Sequence, residues 1–261
     1  MIKHIFCDLD GTLLKDFNKI LDEDIKALQA AQEKGLTVSI ATGRLDYEIK
    51  MIMNKYQLKG YRISQNGAVV FDELNQLVYE KSISNEDTLT ILKALKGYHI
   101  VIFFQTADAY IVEEKIPLIV EFEKSQSLIT YNENKNILKE LDKHQFISIS
   151  IWAEEDHNIE IKKQLDKVLP PHLVSYVSSK YTLDITDVEN SKGNGIKQIC
   201  EKNKISLNEI AVIGDSQNDL SMFNITDNSY VMDEADVEVK KHAQFCVESV
   251  KHAVFDILNN R

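Results

Sequence analysis

The sequence predicts an α/β fold, a parallel-sheet core with an α+β module inserted into it, and three observations predict it. Short apolar runs alternate with amphipathic helical patterns in the first part of the chain. Three apolar runs, one of them late in the sequence, end on a polar residue. Between them the pattern changes to β-rich runs separated by helices.

Taken in order, Ile2 to Cys7 is an apolar run ending in Asp8. Asp22 is placed as a helix N-cap, with Glu23 and Asp24 in the first turn, Ile25, Leu28 and Ala31 or Gln32 at helical spacing, and Gly35 closing the helix. Leu36 to Ala41 is the second strand and ends in Thr42. Gly67 to Tyr79 reads as a hairpin, with Asn66-Gly67 suited to a turn. His99 to Glu113 holds two β-rich runs around Thr106-Ala107-Asp108, and Phe146 to Trp152 alternates as a half-exposed strand. Helical patterns fall at about Asn85–Leu95, Pro117–Ser127 and Asn158–Leu169. The inserted module therefore spans residues 83–187, and residues 1–82 and 188–261 form the core. Glu209 to Gly214 is the third polar-ended strand, followed by Asp215. Ligands of doubly wound sheets bind beyond the carboxyl ends of the strands, so Asp8, Thr42 and Asp215 are expected to converge on one crevice.

Composition narrows the function. With 44% hydrophobic and 27% charged residues in 261, the chain has the profile of an ordinary globular protein. A net charge of −11 gives no bulk field for a nucleic acid, and no apolar run reaches the length a bilayer requires. No nucleic-acid or membrane partner is expected; the start of the chain has no leader pattern, and a cytoplasmic location follows. The oligomeric state is not encoded in any readable pattern. Cys7, Cys200 and Cys246 lack paired spacing and read as buried small hydrophobes. The seven histidines show no metal-ligand spacing and no G-x-S-x-G elbow is present, which sets aside zinc enzymes and serine hydrolases.

The strongest signal is Asp8-Leu9-Asp10-Gly11-Thr12. Two carboxylates two residues apart just past a buried strand face one side of the backbone, and Gly11 permits the sharp turn that follows. A calcium loop would carry more oxygen ligands nearby. Thr42-Gly43-Arg44 can offer a hydroxyl and backbone N–H groups to phosphoryl oxygens at the start of a helix, or Thr42 can simply cap that helix. Arg44 reads as a substrate contact or as a surface cation. Ser191-Lys192-Gly193-Asn194 places a cation at a helix start where the chain returns to the core, and Gly214-Asp215-Ser216-Gln217-Asn218-Asp219 follows a buried strand.

Together these four motifs resemble the haloacid dehalogenase superfamily over the whole chain, specifically its Cof-like phosphatases with a large α/β cap (type IIB). The resemblance implies a Rossmann-like core with an inserted α+β cap that excludes water and reads the leaving group. It implies Asp8 as nucleophile, Asp10 as general acid and base, and phosphate contacts from Leu9, Thr42, Gly43, Lys192 and Asn218. It also implies Mg²⁺ on Asp8, Asp215 and the Asp10 backbone carbonyl, with Asp219 supporting the metal shell. The expected activity is hydrolysis of small phosphorylated metabolites, sugar phosphates or phosphorylated cofactors, through an aspartyl-phosphate. A phosphohexomutase and a non-catalytic sensor of phosphorylated metabolites are the alternatives. The chain departs from the family pattern at 184–190, which lacks the usual Pro and Gly, and at Val231-Met232-Asp233-Glu234-Ala235, where Met-Gly-Asn-Ala is usual.

Overall fold

The computed structural model describes residues 1–15, 19–125 and 130–260. The chain opens with strand β1 (His4–Cys7) and a small antiparallel pair, β2 (Leu14–Lys15) and β3 (Lys19–Ile20). Helix α1 (Asp22–Glu33) leads to β4 (Thr37–Ala41), and α2 (Asp46–Lys55) leads to β5 (Arg62–Ser64), β6 (Val69–Phe71) and β7 (Leu77–Glu80). Then come α3 (Asn85–Ala94), β8 (Val101–Gln105), β9 (Tyr110–Val112), α4 (Pro117–Ser125), β10 (Tyr131–Glu133), β11 (Ser148–Trp152), α5 (Glu155–Leu165), β12 (Leu173–Ser179) and β13 (Thr182–Asp187). The chain closes with α6 (Lys192–Asn203), β14 (Ile210–Gly214), α7 (Leu220–Phe223), β15 (Ser229–Met232), α8 (Val237–Lys240), β16 (Phe245–Val247) and α9 (Val250–Asn260). Among the described residues no helix is long and apolar enough to cross a membrane.

These elements form two compact units, Met1–Glu80 with Asn190–Arg261, and Lys81–Glu189. In the first unit eight strands pair in the order β16-β15-β14-β1-β4-β5-β6-β7. β16 through β5 run parallel, and β6 and β7 turn back antiparallel. β1, β4 and β14 are almost wholly apolar because helices cover both faces of a parallel sheet. Phe6, Ile63, Val212 and Ile196 meet in one core cluster on one side of it. Helices α1 and α9 belong together: the Asp24 carboxylate accepts the Lys251 backbone N–H at 2.7 Å, which satisfies one of the unpaired donors at the start of α9.

The second unit carries a six-stranded sheet in the order β10-β9-β8-β11-β13-β12. One face, with Phe104, Ile149, Ile151, Leu183 and Ile185, is buried with Ile91 of α3 and Ile161 and Leu165 of α5. The other face carries Phe103, Ser150, Trp152 and Asp184, as the period of two requires.

Several sequence expectations shift. α1 begins at Asp22 with Leu21 in the cap position, so the Asp22 side chain supplies charge to the first turn instead of capping it. α5 begins at Glu155, ahead of the expected Asn158, because the polar start Glu155–Asn158 is itself helical while only the apolar positions carry the period. Helix α4 is described to Ser125, and the expected end at Ser127 lies outside the described residues. On β11 the face expected to be half-exposed has Ser150 only 5% exposed. Gln105 donates to the Ser150 hydroxyl at 3.0 Å, so a polar residue is buried by being hydrogen-bonded. Cys7 and Cys200 are buried as expected, but Cys246 is exposed, since it sits on β16 at the sheet edge.

Candidate active site

Parallel β1, β4 and β14 end level with one another, and the residues just beyond them are Asp8, Thr42 and Asp215. Asp8 is 3% exposed and Lys192 is fully buried. The Lys192 Nζ donates to Asp8 Oδ1 at 2.5 Å and to Asp219 Oδ1 at 2.6 Å. Ser191 holds the start of α6 by accepting the Asn194 N–H, and Gly193 lies so close to Ser221 that a Cβ there would overlap the Ser221 carbonyl. Lys192 therefore enters the site on a rigid helix start. Burial works against its charge, but Asp219 and Asp8 outweigh that and hold the ammonium well above the usual lysine range.

Asp219 is fully spent on local structure. Its Oδ2 accepts from the backbone N–H groups of Asp215 and Ser216 at 2.8 and 2.9 Å, and its Oδ1 takes Lys192. This turn aims Asp215, whose Oδ1 accepts the Thr12 hydroxyl at 3.0 Å. Gly11 has φ of +85°, and a Cβ at that position would overlap the Asp215 carboxylate, so both halves of the glycine's role in D-x-D-G-T are used here.

Three carboxylates share this corner. Ligand oxygens of Asp8, Asp215 and Asp219 all lie within 4.8 Å of one another. One ammonium faces them, and Asp8 Oδ2 is a buried oxygen with no hydrogen-bond donor among the described residues. Burial raises the Asp8 carboxyl well above the ordinary range, with Lys192 pulling it down and Asp219 and Asp215 pushing it up. Asp215 is raised by burial and by Asp219. A donor-less oxygen in a set of hard carboxylates fits a hard divalent cation, held chiefly by Asp8 and Asp215 because the Asp219 oxygens are already engaged.

Asp10 lies half-exposed beyond Asp8 and is gripped by Arg44, with Nη2 to Oδ1 at 2.6 Å and Nε to Oδ2 at 2.9 Å. Arg44 is 9% exposed and also reaches Glu48 Oε1 at 3.4 Å, so it is neither a surface cation nor a side chain open to solvent. Thr42 does not cap a helix. α2 starts at Asp46, with the Glu48 carboxylate accepting the Leu45 N–H at 3.0 Å. The Thr42 hydroxyl instead accepts the Arg44 N–H at 3.3 Å, and its carbonyl accepts the Asn66 N–H at 2.9 Å. Thr42-Gly43-Arg44 is thus a turn ahead of the helix, kept open by Arg44 reaching to Asp10. The Leu9 side chain is fully buried, which leaves only its backbone to meet a ligand.

The sequence reading leaves Asn66 out of the site, yet its Oδ1 accepts the Asn218 amide at 3.0 Å, and the Asn218 Oδ1 accepts the Ser216 hydroxyl at 2.7 Å. Asn66 has φ of 54°, and Gly67 backs directly onto Ser191. The Asn-Gly pair does form the turn between β5 and β6, as its composition suggests, and the same turn presents Asn66 to Asn218. The signal that could have found it is the demand that a left-handed residue beside a close backbone approach be Asn.

A parallel α/β core whose strand ends assemble a buried aspartate, a buried lysine and a carboxylate cluster defines a hydrolase of phosphoric monoesters. The chain belongs to the family of haloacid dehalogenase-like hydrolases, whose model matches residues 5–258. It is 30% identical over 251 residues to a putative phosphatase of Buchnera aphidicola, covering 94% of this chain and 89% of that one. It is 27% identical over 270 residues to phosphatase YwpJ of Bacillus subtilis, covering 93% of each. In fold it is similar to a haloacid dehalogenase-like hydrolase from Bacteroides thetaiotaomicron, with a TM-score of 0.89, 24% identity, and coverage of 98% of this chain and 100% of that one.

Proposed function

We propose that this chain is a magnesium-dependent phosphatase of small phosphorylated metabolites, sugar phosphates or phosphorylated cofactors, working through an aspartyl-phosphate on Asp8. The observation that carries the reading is the buried Asp8 carboxylate, fixed through Oδ1 by Lys192 while Oδ2 has no donor among the described residues. Asp8 attacks phosphorus, and the bond to the leaving oxygen breaks as Asp10 gives that oxygen its proton. Asp10, now a carboxylate, takes a proton from water; the water oxygen attacks phosphorus, and phosphate leaves as the Asp8 carboxylate is restored. For the first step Asp10 has to exchange the Arg44 fork for the leaving oxygen. Lys192, the Asn218 amide, the Thr42 hydroxyl and the Gly43 N–H are assigned to the phosphoryl oxygens. Mg²⁺, held by the Asp8 and Asp215 carboxylates and the Asp10 backbone carbonyl, supplies when bound the positive charge that lets a dianionic phosphate enter a carboxylate cluster.

The test is phosphate release from a broad panel of phosphate esters with Mg²⁺. Asp8→Asn should lower it by a factor on the order of 10³ or more. Asp10→Asn should slow turnover by roughly 10²–10⁴ and leave phosphoenzyme behind. Wild-type phosphate release by Asp8→Asn overturns the mechanism, and conversion of a sugar phosphate to its isomer without phosphate release overturns hydrolysis in favour of mutase chemistry.

A further inference from the structure

The second unit encloses a cavity of about 490 Å³ on the sheet face opposite its hydrophobic core, within the size range of small-molecule sites. Its walls are aromatic. Trp152 and Tyr181 line it with ring centroids 6.0 Å apart, and so do Phe103 and Tyr131 at 5.2 Å. Its floor is polar and ordered by the sheet register. Phe103, Ser150 and Asp184 are direct cross-strand neighbours on β8, β11 and β13. Gln105 donates to the Ser150 hydroxyl at 3.0 Å, and Ser150 sits directly across from Asp184, while the Ser178 hydroxyl donates to the Thr182 carbonyl at 3.3 Å.

This arrangement is selective in what it can hold. A carboxylate offers about four lone-pair sites, and the neighbouring Ser150 hydroxyl can fill only one, which leaves sites for a ligand. Among the described residues no cation pairs with Asp184, so what completes it has to bring N–H or O–H donors. A lining rich in aromatic rings favours a flat π-system over a puckered ring. Burial holds the Asp184 carboxyl above its ordinary value, with Ser150 and Ser178 pulling the other way.

We infer that this cavity binds a planar nitrogen heterocycle whose adjacent amino and ring N–H groups pair with the Asp184 carboxylate while the ring lies against the aromatic walls. The inference stands on the second unit alone and does not rest on the phosphatase reading.

Trp152 is the single tryptophan of the chain, so its indole N–H gives one assignable peak in a ¹H–¹⁵N spectrum. Isocytosine, with adjacent amino and ring N–H groups, is titrated into the full chain without Mg²⁺, and 1,3-dimethyluracil serves as the flat ring without donors. Isocytosine should shift the Trp152 peak and bind at least tenfold more tightly than 1,3-dimethyluracil. Asp184→Asn should abolish that preference, and Tyr181→Ala, at a partly exposed wall position, should weaken both probes while the rest of the spectrum stays native. An unmoved Trp152 peak at millimolar isocytosine, equal binding of the two probes, or an undiminished preference in Asp184→Asn overturns the inference. Because neither probe carries phosphate, the phosphatase reading can fail while this one holds, and the reverse.

Discussion

Lys192 is a fully buried ammonium that faces two buried carboxylates, Asp8 and Asp219. Removing one partner of a buried ionic group leaves uncompensated charge, so Lys192→Met should destabilise the protein by about 3–5 kcal/mol. Urea unfolding of the variant measures it; a loss within 1 kcal/mol would mean that the cluster is neutralised by other means. Arg44 is subject to the same reasoning through Glu48, a fully buried carboxylate. Arg44→Ala should lower the melting temperature more than Arg44→Lys does, since lysine keeps the charge and loses the fork. The sequence made Asp8, Lys192 and Asp215 legible because fixed motifs carry them. It hid the Arg44–Asp10 and Asn66–Asn218 pairs, whose partners are 34 and 152 residues apart and are joined only by the sheet order.

At the scale of elements, apolar periodicity located β1, β4, β8, β9, β11 and β14 and helices α1, α3, α4 and α5, since burial on the sheet faces dictates it, and left short elements such as β10, β15, β16, α7 and α8 unread. It misplaced helix starts wherever polar residues form the first turn, as in α5. Helix α3 shows what such a start contributes. The Ser84 hydroxyl accepts the Asp87 N–H at 3.0 Å and donates to the Asp87 carboxylate, which also meets His172. Burial works against that carboxylate, but the bonds from Ser84 and His172 outweigh it and hold Asp87 below its ordinary value. A carboxyl depressed in the folded state stabilises above its unfolded value, about 3.9, and that contribution fades as pH falls through the folded value. Calorimetry should therefore find Asp87→Asn less stable than the wild type at pH 6, with the gap narrowing below about pH 3.9. A gap independent of pH would assign the loss to packing. In α6, Gly193→Ala should cost roughly 1–3 kcal/mol by forcing the helix start off Ser221, and should lower phosphate release because Lys192 moves with it.

Across the whole molecule, each unit has its own sheet and core, but the first is built from both ends of the chain. A cation that binds only the folded site stabilises the fold by mass action, by about 2.7 kcal/mol at one hundred times its dissociation constant, and so raises the unfolding midpoint. Mg²⁺ should thus raise the wild-type midpoint and leave Asp215→Asn unmoved; an equal rise in both would place the ion elsewhere. That the distant strands ending in Asp8, Thr42 and Asp215 come together was readable from the polar residues that end them, while the full strand order was not, because periodicity carries no partner information. That assembly governs synthesis. His4 on β1 pairs with Thr37 on one side and Ile210 on the other. At roughly 5–20 residues per second the second partner leaves the ribosome about 10–40 s after the first strand. During that interval the inserted unit, continuous in sequence, can already close its own core. Chains stalled with residues 1–205 outside the ribosome should yield a protease-resistant fragment from 81–189 while 1–80 is cleaved, and the reverse pattern would refute this order. An apolar strand left half-paired for that long is the segment of this protein that a nascent-chain chaperone has most reason to shield.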